Sequence, residues 1–125
     1  MAKAKQKLKF RLPEYVTPRN AWRKEIHDVA LKAARKQGVE YGPETKLAVD
    51  VKLYLRGRAL DIHDVDNRLK DILDALQGRM GGSKAVRKFV PIIQNDRQVY
   101  RVVITKSSPP GQSHGLGHVL VSQIG

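Results

Sequence analysis

From Lys7 to Leu12 charged and apolar side chains alternate strictly (Lys7, Leu8, Lys9, Phe10, Arg11, Leu12). This is the two-residue period of a half-buried strand with cations on its open face. Pro13 ends it, since proline cannot donate to a ladder. Thr17-Pro18 then reads as N-cap and first helical turn, and Gly38 as the stop. Between them Trp22, Ile26, Val29, Ala30 and Ala33 form one stripe at helical spacing, and Arg23, Lys24, Lys32, Arg35 and Lys36 lie mostly opposite. After a Tyr41-Gly42-Pro43 turn, KLAVDVKLYLR puts Leu47, Val49, Val51, Leu53 and Leu55 on one face, which predicts the central strand of a sheet. Leu69, Ile72, Leu73 and Leu76 repeat at i, i+3, i+4, i+7 and predict a second helix, stopped at Gly78. Residues 79–91, with Gly81-Gly82-Ser83, read as a flexible, partly disordered loop. Val99 to Thr105 and Val119 to Ile124 read as strands joined by a connector over 107–117. The order β-α-β-α-β-β predicts an α/β (α+β) fold. Its expected form is one domain over residues 1–125, a small mixed β-sheet of four to five strands with two helices packed on it.

Composition narrows the chemistry. A chain of 125 residues that is 41% hydrophobic can bury a core unaided. It has no cysteine, which excludes disulfide scaffolds and thiolate chemistry. No apolar run approaches the ~20 residues of a membrane span, and MAKAKQKLKF lacks the apolar core of a signal peptide. A soluble, cytoplasmic protein without membrane partners is the expectation. The net charge is +12, unevenly distributed. Residues 1–39 carry eleven Lys/Arg against three acids, 40–78 six against eight, and 79–106 seven against one. Two basic blocks that attract polyphosphate thus flank one acidic insert.

That insert holds Asp61, Asp64, Asp66, Asp71 and Asp74. Asp66 is expected at or next to the N-cap of the second helix, with Asp64 two residues earlier on an extended chain that points both carboxylates to one side. Steps of four then stack Asp66, Lys70 and Asp74. Two adjacent carboxylates repel unless a cation lies between them. A hard divalent ion such as Mg²⁺ suits them, because it takes oxygen ligands and is held by one or two carboxylates plus substrate phosphate. Such an ion activates water and neutralises charge growing on phosphorus oxygens, and Lys70 could reach the same phosphate. The plainer reading is that an aspartate before a helix caps it. Asp96, the sole acid among the seven cations of the following basic block, is a third candidate ligand if its strand runs beside the helix start.

Asp64-Val65-Asp66-Asn67-Arg68-Leu69-Lys70, then Asp74-Ala75-Leu76, then Asn95-Asp96-Arg97-Gln98-Val99 resemble the RusA family of Holliday-junction resolvases. The likeness in element order spans most of the chain; only the motif block is specific. It implies a homodimer that uses Mg²⁺ or Mn²⁺ to nick four-way or branched DNA symmetrically in recombination and repair, with no small-molecule cofactor. It further implies Asp64, Asp66 and Asp96 as metal-binding catalytic carboxylates and Lys70 as the essential lysine. Nucleoid association and a phage or prophage source fit the same resemblance. Lys7, Lys9, Arg11, Arg19, Arg23, Arg56, Arg58, Arg68, Lys84, Arg87 and Lys88 are the expected DNA-gripping cations.

Three departures stand out. Asn95 replaces a second acid, the 79–91 loop is longer and basic, and the arginines before the motif thin to Arg56 and Arg58, with Ile62 and His63 beside Asp64. His114 and His118 have the i, i+4 spacing of a metal pair, but Gly115 and Gly117 argue against a helix there. Trp22 and the four tyrosines are scattered like core or sheet residues, without the clustering of a base-stacking platform. Two alternatives stay open: a junction- or RNA-binding module that does not cut, and a ribosome-associated basic protein.

Overall fold

The computed structural model describes residues 6–80, the backbone of 86–87, and residues 89–111 and 117–124. Strands β1 (Lys7–Leu12), β2 (Leu47–Tyr54), β5 (Val99–Ser107) and β6 (Gly117–Gln123) form one mixed sheet in the order β1-β6-β2-β5. β6 runs antiparallel to both β1 and β2, whereas β2 and β5 are parallel. Helices α1 (Arg19–Gln37), α2 (Arg58–Ile62) and α3 (Val65–Leu76) pack on one face. A mixed α+β architecture is what the alternating periods predict, with β2 central.

Alternation explains the layering. Leu8, Phe10 and Leu12 on β1, Val119 and Val121 on β6, and Leu47, Val49, Val51 and Leu53 on β2 all point into the core. There they meet Trp22, Ile26 and Ala30 of α1 and Ile72, Ala75 and Leu76 of α3. Each such aliphatic side chain contributes about 1.5–3 kcal/mol by leaving water. The opposite face of the sheet is not covered by helices. Its rows, read from β1 to β5, are Lys7-Ser122-Ala48-Arg101, Lys9-Leu120-Asp50-Val103 and Arg11-His118-Lys52-Thr105. Asp50 is the one acid in these rows.

Four boundaries differ from the sequence reading. Pro18, not Thr17, is the N-cap of α1, in extended conformation after a cis peptide bond. The short helix α2 has too few apolar positions to show a period. β6 begins at Gly117, where a side chain would collide with the Lys52 carbonyl. Residues 79–91 are not a plain loop. Within the described part, β3 (Arg79–Met80) and β4 (Val86–Arg87) pair antiparallel. The Gly78 carbonyl accepts from Phe89, and the Leu76 carbonyl from the amides of Ile92 and Ile93, both of which are buried. The short apolar pair Ile92-Ile93 ties this segment to the end of α3.

Candidate active site at the start of helix α3

After β2 the chain turns through Gly57, forms α2, and is pinned at His63 before α3 starts. His63 is held on three sides. Its Nδ1 accepts from Arg68 Nη1 at 3.1 Å, its ring stands edge-on to Tyr15 at 4.5 Å, and its carbonyl accepts from Lys106 Nζ at 2.9 Å. Burial, then the nearby Arg68 and Lys106 charges, lower the His63 pKa from its ordinary value, which favours the neutral ring. Lys106 is near the end of β5, so this contact fixes the start of α3 at that end of the edge strand.

Asp64, not Asp66, is the N-cap: its carbonyl accepts the first helical bond, from the Arg68 amide. Yet its carboxylate makes no capping bond. It accepts a long, weak bond from Asn67 Nδ2 at 3.4 Å. Asp66 lies in the first turn. Both aspartates and Lys70 are exposed. Among the described residues neither aspartate forms an ion pair. Asp64 keeps an extended backbone, and Asp66 lies on the helix two residues on. What they share is the helix end, where the macrodipole favours negative charge. The stacking of Asp66, Lys70 and Asp74 on one stripe is retained.

The other two acids of α3 have a different task. Asp71 is fully buried and surrounded by guanidinium groups: Arg19 Nη2 at 2.8 Å, Arg23 Nε at 3.1 Å and Arg68 Nη2 at 3.2 Å. Asp74 meets Arg23 Nη2 at 3.3 Å, and burial is the main cause that raises its pKa. Arg68 also stacks over Tyr15, 4.5 Å from its ring centroid. Arg23 and Arg68 are 4% and 7% exposed, so neither belongs to the DNA-facing surface set expected from sequence. Arg19 is half exposed but tied to Asp71. The seam between α1 and α3 is therefore ionic, and the apolar face of α3 is rotated toward Ile72, Ala75 and Leu76, leaving Leu69 and Leu73 partly exposed.

Asp96 opens a 3₁₀ turn (Asp96–Gln98) before β5. Asn95 caps it, accepting from the Arg97 amide at 2.8 Å, and Gln98 donates to the Gly42 and Thr45 carbonyls. The Asp96 amide donates to Gln77 Oε1 at 3.2 Å, which places the turn at the C-cap of α3. Asp64 lies thirteen residues earlier on that helix, about 20 Å away along the axis. Within one chain, then, Asp96 is at the opposite end of α3 from Asp64 and Asp66. Among the described residues no three His, Asp or Glu side chains are grouped to hold a metal ion. The expected convergence of three carboxylates is not formed, because β5 runs antiparallel to α3 and begins at the far end of that helix.

By donor type the two exposed carboxylates at the start of α3, which form no ion pair among the described residues, are what a hard divalent ion takes. The expected cations divide by place. Lys7, Lys9 and Arg11 are exposed on the open sheet face, where Lys52 and Arg101 join them, and Arg56 and Arg58 are exposed on the approach to α2. Lys84, Lys88, His114 and the Arg87 side chain lie outside the described residues. His118 is on the open face of β6, so an i, i+4 helical metal pair with residue 114 is not formed.

Sequence reasoning missed Asp71, Gln77 and Gln98. The signal for the first was present: Arg68 and Asp71 keep the helical spacing, as do Arg19 and Arg23. No family model and no curated protein matches the chain. Among the described residues no helix is long and apolar enough to cross a membrane.

Proposed function

We propose that the chain is a metal-dependent endonuclease that nicks branched DNA, with the four-way junction as its substrate class. The observation that carries this reading is the state of Asp64. It stands where an aspartate normally caps a helix, yet its carboxylate leaves the cap unmade and stays exposed beside Asp66. The N-cap residue thus makes no capping bond with its side chain, and the ion pairs of α3 are made by Asp71 and Asp74. Asp64 and Asp66 would hold Mg²⁺ or Mn²⁺, which when bound supplies an activated water and charge neutralisation at phosphorus. Lys70, exposed on the Asp66 stripe, would place its ammonium against a phosphate oxygen. His63, fixed by Arg68 and Tyr15, holds the entry to the helix in register. The basic open face and the arginines before α2 would grip the backbone. This assignment agrees with the RusA resolvases that the motif resembles.

A second reading, junction or RNA binding without cleavage, is favoured by one observation, the distance of Asp96 from the other two aspartates within the chain. The two are separated by nicking of a labelled four-way junction in Mg²⁺ or Mn²⁺, with EDTA as the blank. Wild type is expected to nick it. Asp66→Asn is expected to bind as tightly or more tightly, having lost a negative charge, while nicking falls at least about 100-fold. Binding without nicking by wild type would establish the non-cleaving module instead.

A further inference from the structure

We infer that the aromatic cavity beside Asp64, at the end of the sheet, takes one unpaired nucleobase of the branched DNA, the base next to the phosphate that is cut. This deepens the nuclease reading and rests on it for the place of that phosphate, whereas occupation of the cavity by a base is decided by binding alone.

The cavity has a volume of about 170 Å³ and is lined by the rings of Tyr15, Tyr54 and His63, with Glu14, Arg56 and Ala59 around them. These rings are scattered along the sequence and gathered by the fold: Tyr15 follows β1, Tyr54 ends β2 and His63 leads into α3. The wall is fixed before any ligand arrives. Trp22 Nε1 donates to the Pro13 carbonyl at 3.0 Å, and the Trp22 ring meets Tyr15 at 5.0 Å. Arg68 lies over the Tyr15 ring and bonds His63. Such preorganisation lowers the cost of binding. Every ring contact of the three is edge-on, and among the described residues no ring lies flat against any of them.

Size and charge both select a base. The cavity is smaller than the roughly 300–1,000 Å³ that holds a drug-sized ligand, and suits one planar ring system. In a chain of net charge +12 its rim carries one acid, Glu14, and one cation, Arg56, so it is no focus for phosphate. The rings offer a stacking wall, and the two charged groups offer an acceptor and donors to the polar edge of a base. Glu14 is exposed and in no ion pair among the described residues. Position selects which base. His63 immediately precedes Asp64, which puts their Cα atoms about 3.8 Å apart. Tyr54 is two residues past Lys52 on the uncovered face of β2, and its ring meets His118 of that face. The cavity thus lies between the basic sheet face and the aspartates, where a strand held by the one and cut at the other would cross the end of the sheet. A nucleotide at a branch point is the least costly to turn out of the stack, because its pairing and stacking are already weakened.

The probe is a synthetic four-way junction carrying a tetrahydrofuran abasic residue at one branch-point nucleotide at a time, bound to the full chain in EDTA. Wild type is expected to lose about tenfold in affinity when the abasic residue falls at one position of the branch, and little at the others. Tyr54 is half-buried and outside the core cluster, so Tyr54→Ala is expected to fold like wild type. That variant is expected to bind the intact junction about tenfold more weakly and to ignore the abasic residue. Its salt slope should be unchanged, because no phosphate contact is lost. Ala59→Leu, which keeps every ring and fills the cavity, is expected to behave in the same way. Equal affinity of wild type for all the abasic junctions overturns the pocket, as does full abasic discrimination retained by Tyr54→Ala. A reduced salt slope in Tyr54→Ala overturns it too, by making that residue part of the phosphate grip. If wild type nicks the intact junction in Mg²⁺ but discriminates no abasic position, the nuclease stands and the pocket falls. Discrimination without nicking keeps the pocket and sinks the nuclease.

Discussion

Asp71 carries the largest electrostatic burden of any single side chain described, because three guanidinium groups depend on it and two of them, Arg23 and Arg68, have almost no access to water. A buried ion cluster adds modest net stability when intact but is costly to break, since removing one partner strands the others. Asp71→Asn is expected to lower unfolding free energy by about 3–5 kcal/mol in urea titrations. A loss below about 1 kcal/mol would show that water reaches Arg23. Removal of Asp66, exposed and unpaired, is expected to leave stability nearly unchanged, within about 0.5 kcal/mol. Two histidines set a pH response. The pKa values of His63 and His118 are both lowered, chiefly by burial and then by neighbouring cations. The unfolded chain therefore takes up protons that the folded chain refuses, and stability falls as pH drops below the ordinary histidine value of 6.5. The thermal midpoint is expected to decline from pH 7 to pH 5, with a shallower decline in His63→Gln/His118→Gln. An equal decline in that variant would assign the effect to other groups. The exposure of Asp64, Asp66 and Lys70 was legible from sequence, because all three lie off the apolar stripe of α3. Asp71 was not, since charge at a helical core position looks like a break in the pattern until the arginines of a second helix are brought against it.

Elements with a clean period were legible, and those held by a single contact were not. β1 and β2 announce themselves by alternation and α1 and α3 by apolar stripes, and the structure keeps all four. The β3–β4 pair has no such signature, because it consists of two-residue strands fastened to the end of α3 by backbone bonds through Gly78 and Leu76. Gly78 shows how tight that fastening is. Its φ is +72°, and a Cβ there would collide with the Phe89 carbonyl. Gly38, at the end of α1, has a similar φ of +67° with open space around it. The pair separates conformational strain from steric contact. Gly38→Ala is expected to cost about 1 kcal/mol, from the left-handed backbone alone. Gly78→Ala is expected to cost at least about 2 kcal/mol, because backbone must also move. Equal costs in denaturant titrations would mean that the hairpin is not anchored at Gly78. The position of Asp96 was illegible for a related reason: sequence order cannot show that β5 runs antiparallel to α3, which decides where a residue at its start ends up.

At the scale of the whole molecule the net charge of +12 is sorted by face. Arginines of α1 and α3 are turned inward onto Asp71 and Asp74, so they add nothing to the field that an approaching polyanion meets. The uncovered sheet face keeps Lys7, Lys9, Arg11, Lys52 and Arg101 against a single acid, Asp50. A flat, basic, four-stranded surface can follow a phosphate backbone without reading bases. Its binding should be dominated by release of condensed counterions, with log K falling about 0.9 per phosphate contacted for each tenfold rise in salt. Lys9, Lys52 and Arg101 are exposed and support no core contact, so Lys9→Glu/Lys52→Glu/Arg101→Glu is expected to fold like wild type. On junction DNA that variant is expected to bind at least tenfold more weakly at about 0.1 M salt, with the salt slope reduced by roughly 2–3. Its Mn²⁺ affinity should be unchanged, since Asp64 and Asp66 are in the helix layer on the other side of the sheet. Titrations of fluorescent junction DNA between 50 and 200 mM salt measure both quantities. An unaltered slope would move the DNA to the helix side, where Arg56 and Arg58 are exposed on the approach to α2. In that case strand and scissile phosphate would be held by one surface, and the sheet face would be left for solubility alone.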